Sequence, residues 1–316
     1  MFSGFMLLTH GASDATLPPV ALTVGNFDGI HLGHRAMLER LVGEARRRAL
    51  VSCVLTFEPH PREFFAPRSA PTRLASLREK LELLAAHKVE RVHVQRFARP
   101  FAALEPGAFV EQVLAQRLKA RWILVGEDFR FGAKRAGDLP LLKSLGGRCG
   151  YEVEIMPVVT RAGARVSSSA VRAALAAGEL AAAEALLGRP YSISGRVVHG
   201  RKLGRELGFA TANVQLKHNR PPLTGIYAVR VHGIGAAARP AVASLGVRPT
   251  ITASGRAVLE VHLFDFSGDL YRAHVRVEFL HKIRDEEKYS DLDALKAQIG
   301  RDCEAARSFL LDHRDA

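Results

Sequence analysis

The sequence is poor in cysteine, short of acidic residues and free of long apolar runs, and each shortage narrows its class. Cys53, Cys149 and Cys303 are odd in number and far apart, which argues against a disulfide framework and against a structural zinc site. Reduced, mostly buried thiols are expected. No stretch approaches the roughly 18 apolar residues of a membrane span. The opening MFSGFMLLTHGASDATLPPV lacks the basic start and long apolar centre of a signal peptide. A cytoplasmic protein is therefore expected. With 32 acidic residues against 45 lysines and arginines, the formal charge is +13, which favours phosphorylated ligands, nucleic acid or an anionic membrane surface without choosing among them. Apart from Arg46, Arg47 and Arg48 the basic residues are scattered, with neither interleaved aromatics nor a helix-turn-helix pattern, so the excess reads as a solvated surface plus phosphate sites.

What is present is enough apolar sequence, 47% of 316 residues, for two ordinary domains. Up to about residue 186, strand-like runs alternate with helical patterns: VALTV at 20–24, VSCVLTF at 51–57, RVHVQRF at 91–97, WILVG at 122–126 and YEVEIMPVV at 151–159. Such alternation predicts a parallel sheet with crossover helices, an α/β domain. Met37, Leu38, Leu41, Val42 and Ala45 recur on one helical face, as do Leu77, Leu81 and Leu84. After ELAAAEALL at 179–187 and the break Gly188-Arg189-Pro190, the texture changes to SISGRVV, GIYAVRVHG, PAVASLGV, AVLEVHLF and HVRVEFL. Strands in succession predict an antiparallel barrel or sandwich. A last helix follows, with Asp291 as N-cap and Leu292, Leu295, Ile299, Cys303, Ala306 and Leu310 as its buried stripe. The expected domains are residues 1–186 and 187–316, without internal repeats.

The strand VALTV runs into Gly25-Asn26-Phe27-Asp28-Gly29-Ile30-His31-Leu32-Gly33-His34, where a helix begins. The glycines let backbone approach a ligand, and the helix start offers N–H groups and a positive dipole end to a phosphate. His31 and His34 add imidazole donors. The same His-x-x-His pair is compatible with a metal site or with two ordinary histidines, although the His-Glu-x-x-His form of a zincin is absent. The succession of strand, glycine-rich turn, HLGH and helix favours a nucleotide site.

GNFDGIHLGH at 25–34, TFEPHP at 56–61, RLASLREKL at 73–81, VGEDFRFG at 125–132 and RVSSSAVR at 165–172 resemble, in order and spacing, the motifs of the bacterial bifunctional riboflavin kinase/FAD synthetases. The resemblance implies a nucleotidylyltransferase-like first domain with a Rossmann-like parallel sheet. In it, His31 and His34 would act on ATP phosphates, with Gly25, Asn26, Phe27, Asp28, Gly29 and Gly33 forming the turn around them. Asp128 and its neighbour Phe129 would lie near adenosine and flavin, and Arg165, Ser168, Ser169 and Arg172 would form a second phosphate-binding segment. The residues agree on that segment, since serines before a helix serve as caps and phosphate ligands, and arginine offers a fork suited to phosphate. For TFEPHP two readings stand: Pro59 and Pro61 shape a strand exit that His60 lines, or His60 belongs to the flavin side.

The second glycine-rich segment, GRVVHGRKLGRELGFATAN at 195–213, is not a Walker A loop. Gly200, Gly204 and Gly208 are able to wrap phosphate oxygens; a mobile surface hairpin has the same composition. Its similarity to the flavokinase half of the same family implies an antiparallel β-barrel kinase domain in which Thr211 and Asn213 hold Mg²⁺. The matching run LEVHLFDFSGDLYR at 259–272 puts the family's catalytic glutamate on Glu260. From alternation alone, Glu260 reads as an ordinary outward strand residue, opposite in phase to Leu259, Val261 and Leu263. Two residues depart from the family pattern: Ala210 replaces the proline before Thr-Ala-Asn, and Arg272 replaces a glycine after Leu-Tyr, a strained position if φ is positive there.

The implied chemistry is ATP- and Mg²⁺-dependent phosphorylation of riboflavin to FMN and adenylylation of FMN to FAD. The implied partners are these small molecules, with no nucleic acid, no membrane and at most weak self-association. The resemblance runs from about residue 18 to 312, and the first residues read as an unrelated extension. Competing readings are a nucleotidylyltransferase for another phosphorylated acceptor, and a basic nucleic-acid-binding protein. Against the second, the barrel strands show no pairs of exposed aromatics; Phe264 and Phe266 share their run with Asp265 and Asp269.

Overall fold

The computed structural model describes residues 6–11, 16–199, 208–217, 220–247 and 257–313. They pack as two compact units, one of residues up to 71 plus 77–167, the other of 72–76 plus the chain from 168 onward.

The first unit is built on six parallel strands: β1 (Leu7–Thr9), β2 (Val20–Val24), β3 (Val51–Glu58), β4 (Arg91–Arg96), β5 (Ala120–Gly126) and β6 (Glu152–Met156). Their order is β1-β4-β3-β2-β5-β6. A parallel sheet is covered on both faces, so its central strands read as unbroken apolar runs, and all five residues of β2 are buried. Between the strands come α1 (Leu32–Arg47), α2 (Pro61–Phe65), α3 (Leu77–Ala86), α4 (Arg99–Ala102), α5 (Pro106–Ala108), a π-helical segment Phe109–Arg117 and α6 (Leu139–Cys149). One core gathers Leu38, Leu41 and Ala45 of α1 and Leu84 of α3 against Val54, Val92 and Trp122. The other gathers Val110, Val113, Leu114 and Leu142 against Leu22, Cys53 and Ile123. A two-strand ribbon, β7 (Thr160–Arg161) with β8 (Ala164–Arg165), ends the unit.

Two features of this unit differ from expectation. Residues 7–9, read as part of an extension, form the sheet's edge strand beside β4. On α3, Leu77 and Leu81 are only partly buried, whereas the charged Glu79 and Lys80 are buried.

The second unit contains α7 (Ser168–Ala176), α8 (Leu180–Leu187) and the strands β9 (Tyr191–Val198), β10 (Ala212–Val214), β11 (Gly225–His232), β12 (Arg239–Val247), β13 (Ala257–Leu263) and β14 (His274–Arg284). The six strands form a closed antiparallel barrel, in the order β10-β13-β12-β11-β14-β9 with β9 paired back onto β10. Closure requires Gly195, because a Cβ there would sit 2.4 Å from the Gln215 carbonyl oxygen. Val171, Leu175, Leu180, Ala183 and Leu187 share one core with the barrel's Val229, Leu259 and Val277, so helices expected to precede the boundary at 187 pack with the chain that follows it. The final helix α9 (Leu292–Asp312) is capped by Asp291, whose Oδ1 accepts from the Ala294 N–H at 2.8 Å. Its buried stripe is Cys303, Ala306 and Leu310, while Leu292 is exposed and the buried Asp302 takes a two-bonded ion pair with Arg284 at 2.8 and 2.6 Å.

Candidate active sites

In the first unit β2 has β3 on one side and β5 on the other, so the strand order reverses at β2. Open α/β sheets bind ligands in the crevice at the carboxyl ends of the strands where the order reverses. The chain leaving β2 there is Gly25–His34, and the chain leaving β5 is Glu127–Phe129. Phe27 and Ile30 adopt positive φ, at 48° and 43°, which strains residues other than glycine and is found where a loop is shaped for function; Gly29 between them takes 82° freely. His31 caps α1, its Nδ1 accepting from the His34 N–H at 3.3 Å, which fixes the proton on Nε2. The two imidazoles stack at 3.8 Å, with Phe27 4.9 Å from the His34 ring. A Cβ on Gly33 would lie 3.2 Å from the His31 ring, so glycine leaves room for that stack. His34 titrates well below the usual histidine range because of burial first, then the charges of His31 and Lys80; it is neutral at physiological pH. The buried Asn26 Oδ1 and His34 Nδ1 have no hydrogen-bond partner in the protein, and buried polar atoms of this kind are rare unless a ligand or water serves them. Asp28 is buried beside them in sequence.

Other predicted residues separate into those the first unit brings together and those it uses structurally. Asp128 and Arg165, from distant motifs, form an exposed ion pair at 2.5 Å. Val166 brings its carbonyl oxygen to 3.7 Å from the Cβ that Gly33 lacks, so this segment reaches the His31 turn. His60 caps α2: its Nδ1 accepts from the Arg62 N–H at 3.1 Å and Glu63 Oε2 accepts from the His60 N–H at 3.2 Å. Phe129 stacks on Phe131 at 5.5 Å, and from there ring contacts of 5.4–6.0 Å pass through Phe109, Phe101 and Phe97 to Phe64 and the exposed Phe65. Single-residue motif reading missed this aromatic path; the spacing Phe57, Phe64, Phe65, Phe97, Phe101 was its only trace.

In the second unit Ser168 and Ser169 open α7, and Arg172 Nε donates to the Thr72 carbonyl oxygen at 2.5 Å. On the barrel, register places Asn213 directly opposite Glu260, and Glu260 opposite Ser244. Leu259, Val261 and Leu263 fill the core, so Glu260 and Asn213 lie on the outer face, where opposed residues have Cβ atoms about 4.5–5.5 Å apart. Thr211 immediately precedes this strand. Glu286, not anticipated from sequence, reaches the same row; Ser244 Oγ donates to its Oε1 at 3.5 Å, and only a glycine at 246 admits its carboxylate, 2.0 Å from where a Cβ would be. His262 Nδ1 bonds the Ala210 carbonyl at 2.9 Å; since a carbonyl only accepts, Nδ1 carries the proton. Arg272 has φ +66°, the positive value that strains a non-glycine residue, and its guanidinium lies 5.4 Å from the Tyr271 ring, itself stacked on His199 at 3.7 Å. Gly208 is exposed with φ +92°, while Gly200 and Gly204 lie outside the described residues. Among the described residues no group of three His, Cys, Asp or Glu side chains is arranged to hold a metal ion.

Comparison with known proteins covers nearly the whole chain. A family model described as FAD synthetase matches residues 13–170, and one described as riboflavin kinase matches 187–310. The chain is 49% identical over 300 residues to a bifunctional riboflavin kinase/FMN adenylyltransferase of Escherichia coli strain K12, covering 95% of this chain and 96% of that protein. Proteins of the same description from Pseudomonas fluorescens and Haemophilus influenzae are 48% and 45% identical, over 90% and 96% of this chain and 91% and 99% of theirs. A solved chain described as a macrolide-efflux protein from Streptococcus pneumoniae has the same fold, with a TM-score of 0.80 and 30% identity over 96% of this chain and 99% of that one. Among the described residues no helix is long and apolar enough to cross a membrane.

Proposed function

The chain belongs to the bacterial bifunctional riboflavin kinase/FMN adenylyltransferases, and from that premise we infer how its residues share the work. It phosphorylates riboflavin to FMN and adenylylates FMN to FAD with release of pyrophosphate. It is a cytoplasmic enzyme whose partners are these small molecules.

Adenylyl transfer falls to the turn Gly25–Gly33 with His31 and His34. The FMN phosphate is already ionised, so attack on the α-phosphorus needs no base; it needs donors where charge accumulates as pyrophosphate leaves. His31 Nε2–H and the start of α1 supply them, and Arg165 with Asp128 borders the nucleotide. The observation that carries this assignment is the pair of buried, unserved atoms Asn26 Oδ1 and His34 Nδ1 at the carboxyl end of β2. The path of phenylalanines from Phe129 to Phe65 offers stacking surface to the flavin ring, with His60 at its edge. Ser168, Ser169 and Arg172 serve a second phosphate contact.

Phosphorylation of riboflavin falls to the barrel. Glu260 takes the proton of the riboflavin 5′-hydroxyl while that hydroxyl's oxygen bonds to the γ-phosphorus and the bond from that phosphorus to ADP breaks. The Thr211 hydroxyl and Asn213 amide oxygen are hard donors that fit magnesium, which when bound neutralises phosphate charge. Gly200, Gly204 and Gly208 give the nucleotide close backbone. We assign residues 1–186 to the first reaction and 187–316 to the second. Because α7 and α8 cover the barrel core, a kinase fragment starting at 168 keeps contacts that one starting at 187 loses.

Incubation with riboflavin, MgCl₂ and ATP tests the whole reading: FMN and then FAD should accumulate. His31→Ala and His34→Ala should each slow FAD formation by about 10²–10³ and leave FMN formation unchanged. Equal loss of both reactions refutes the assignment.

A further inference from the structure

The motif Arg73–Leu81 has no role in either reaction as described, yet it places a lysine where lysines are rarely found. Lys80 is 5% exposed on α3, more deeply buried than Leu77 or Leu81 of the same helix. Burying an ammonium group costs several kcal/mol unless its surroundings return the loss, and propensity alone would have kept the charge on the helix's wet side. Its Nζ donates to Thr56 Oγ1 at 3.3 Å, and that hydroxyl donates to the Asn26 carbonyl oxygen at 3.2 Å. Thr56 is fully buried in β3. A chain of two hydrogen bonds thus ties α3 to the first residues of the turn after β2, and the Lys80 charge acts on His34 in the same turn.

We propose that Lys80 is a positioning residue for adenylyl transfer: through Thr56 it holds the Asn26 backbone at the end of β2, and its buried charge adds to the positive field that meets the nucleotide's phosphates. This rests on the reading of Gly25–His34 as the ATP site. In that reaction an FMN phosphate oxygen bonds to the α-phosphorus, the bond from that phosphorus to the bridging oxygen breaks, and the electron pair leaves on pyrophosphate. Negative charge grows at the leaving group while no proton must move, so a fixed cation in a water-poor site contributes throughout. The charged groups acting on His34 are His31, stacked on it, and Lys80; both oppose its protonation. Lys80 accordingly adds to burial and to His31 in keeping His34 a neutral imidazole.

The test uses the full-length chain with Lys80→Met, which keeps the length of the side chain and removes its charge. Supplied with FMN and ATP, this variant should lose roughly tenfold to a hundredfold in kcat for FAD formation, with a smaller change in the KM for FMN and unaltered FMN formation from riboflavin. The ring-carbon NMR resonance of His34 should titrate at higher pH than in the unmodified protein, with an unchanged urea midpoint separating loss of the Lys80 charge from loss of burial, which raises the same pKa. FAD formation within twofold of the parent, or an unmoved His34 titration, overturns the proposal. If Lys80→Met does not fold, Thr56→Val removes the relay without touching the charge; a several-fold drop in kcat supports the proposal and an unchanged kcat overturns it. His31→Ala and His34→Ala run alongside separate the two levels. If they leave FAD formation intact, the site reading fails and the role of Lys80 with it. If they abolish it and Lys80→Met does not lower it, only the role of Lys80 fails.

Discussion

Replacing Glu260 by glutamine isolates basicity from everything else that residue does. Glu260 lies opposite Asn213 on one side and Ser244 on the other, on the outer face of the barrel. Glutamine keeps the length, planarity and one acceptor oxygen, so the cross-strand pair is retained and the stability change should stay within about 0.5 kcal/mol. The rate of FMN formation should fall by roughly 10²–10⁴, the usual worth of a positioned general base, or about 2.7–5.5 kcal/mol of barrier. Substrate affinity should hardly move, because the loss occurs in the transition state. Asn213→Ala should instead raise the magnesium needed for half-maximal rate. Since the two residues face each other, the double variant should lose less than the product of the single losses. The assay is initial FMN formation from riboflavin and ATP across a magnesium series, with FAD formation from supplied FMN as the internal control. A Glu260→Gln protein that makes FMN at the parent rate refutes the role, and multiplicative losses in the double variant refute the shared site.

Two further outcomes follow from single contacts. His262→Ala removes the donor that holds the Ala210 carbonyl, and should raise the magnesium requirement of FMN formation several-fold while leaving FAD formation alone; an unchanged magnesium curve shows that the Thr211–Asn213 segment is held by something else. His93 is buried, with its pKa lowered from 6.5 to about 4 chiefly by desolvation, so the unfolded chain binds a proton at pH values where the folded one does not. Its stability contribution is therefore fully present above pH 6.5 and is lost as pH falls toward 4, on the order of 3 kcal/mol in all. Trp122, the single tryptophan, is buried in the same unit and reports its unfolding by fluorescence in urea; His93→Gln should flatten the acid dependence, and an identical slope in both proteins refutes it.

How much of this was legible in the sequence depended on which property carried the information. VALTV, VSCVLTF and WILVG were readable as strands because a two-sided sheet demands nearly continuous apolar residues, and RVHVQRF and YEVEIMPVV because they alternate; five of the six parallel strands followed. The edge strand β1 was not, since Leu7 and Leu8 are exposed and three residues give no period. The segment Ala212–Val214 was too short to announce a strand, yet as β10 it closes the barrel. Lys80 was invisible for a different reason: binary patterning assigns a charge to solvent, and nothing in LREKL says that α3 turns Lys80 inward in preference to Leu77. Glu260 lies between these cases. Alternation alone put it on the outward face, correctly, and the same alternation made it look ordinary, because period two tells which face a residue occupies but not what stands opposite. Opposition is set by register, and register in this barrel is set by features remote from Glu260, among them the close passage of Gly195 under the Gln215 carbonyl that lets β9 meet β10. A larger residue at 195 would push β10 away from β9, and with it the alignment of Asn213 against Glu260, although neither residue had changed.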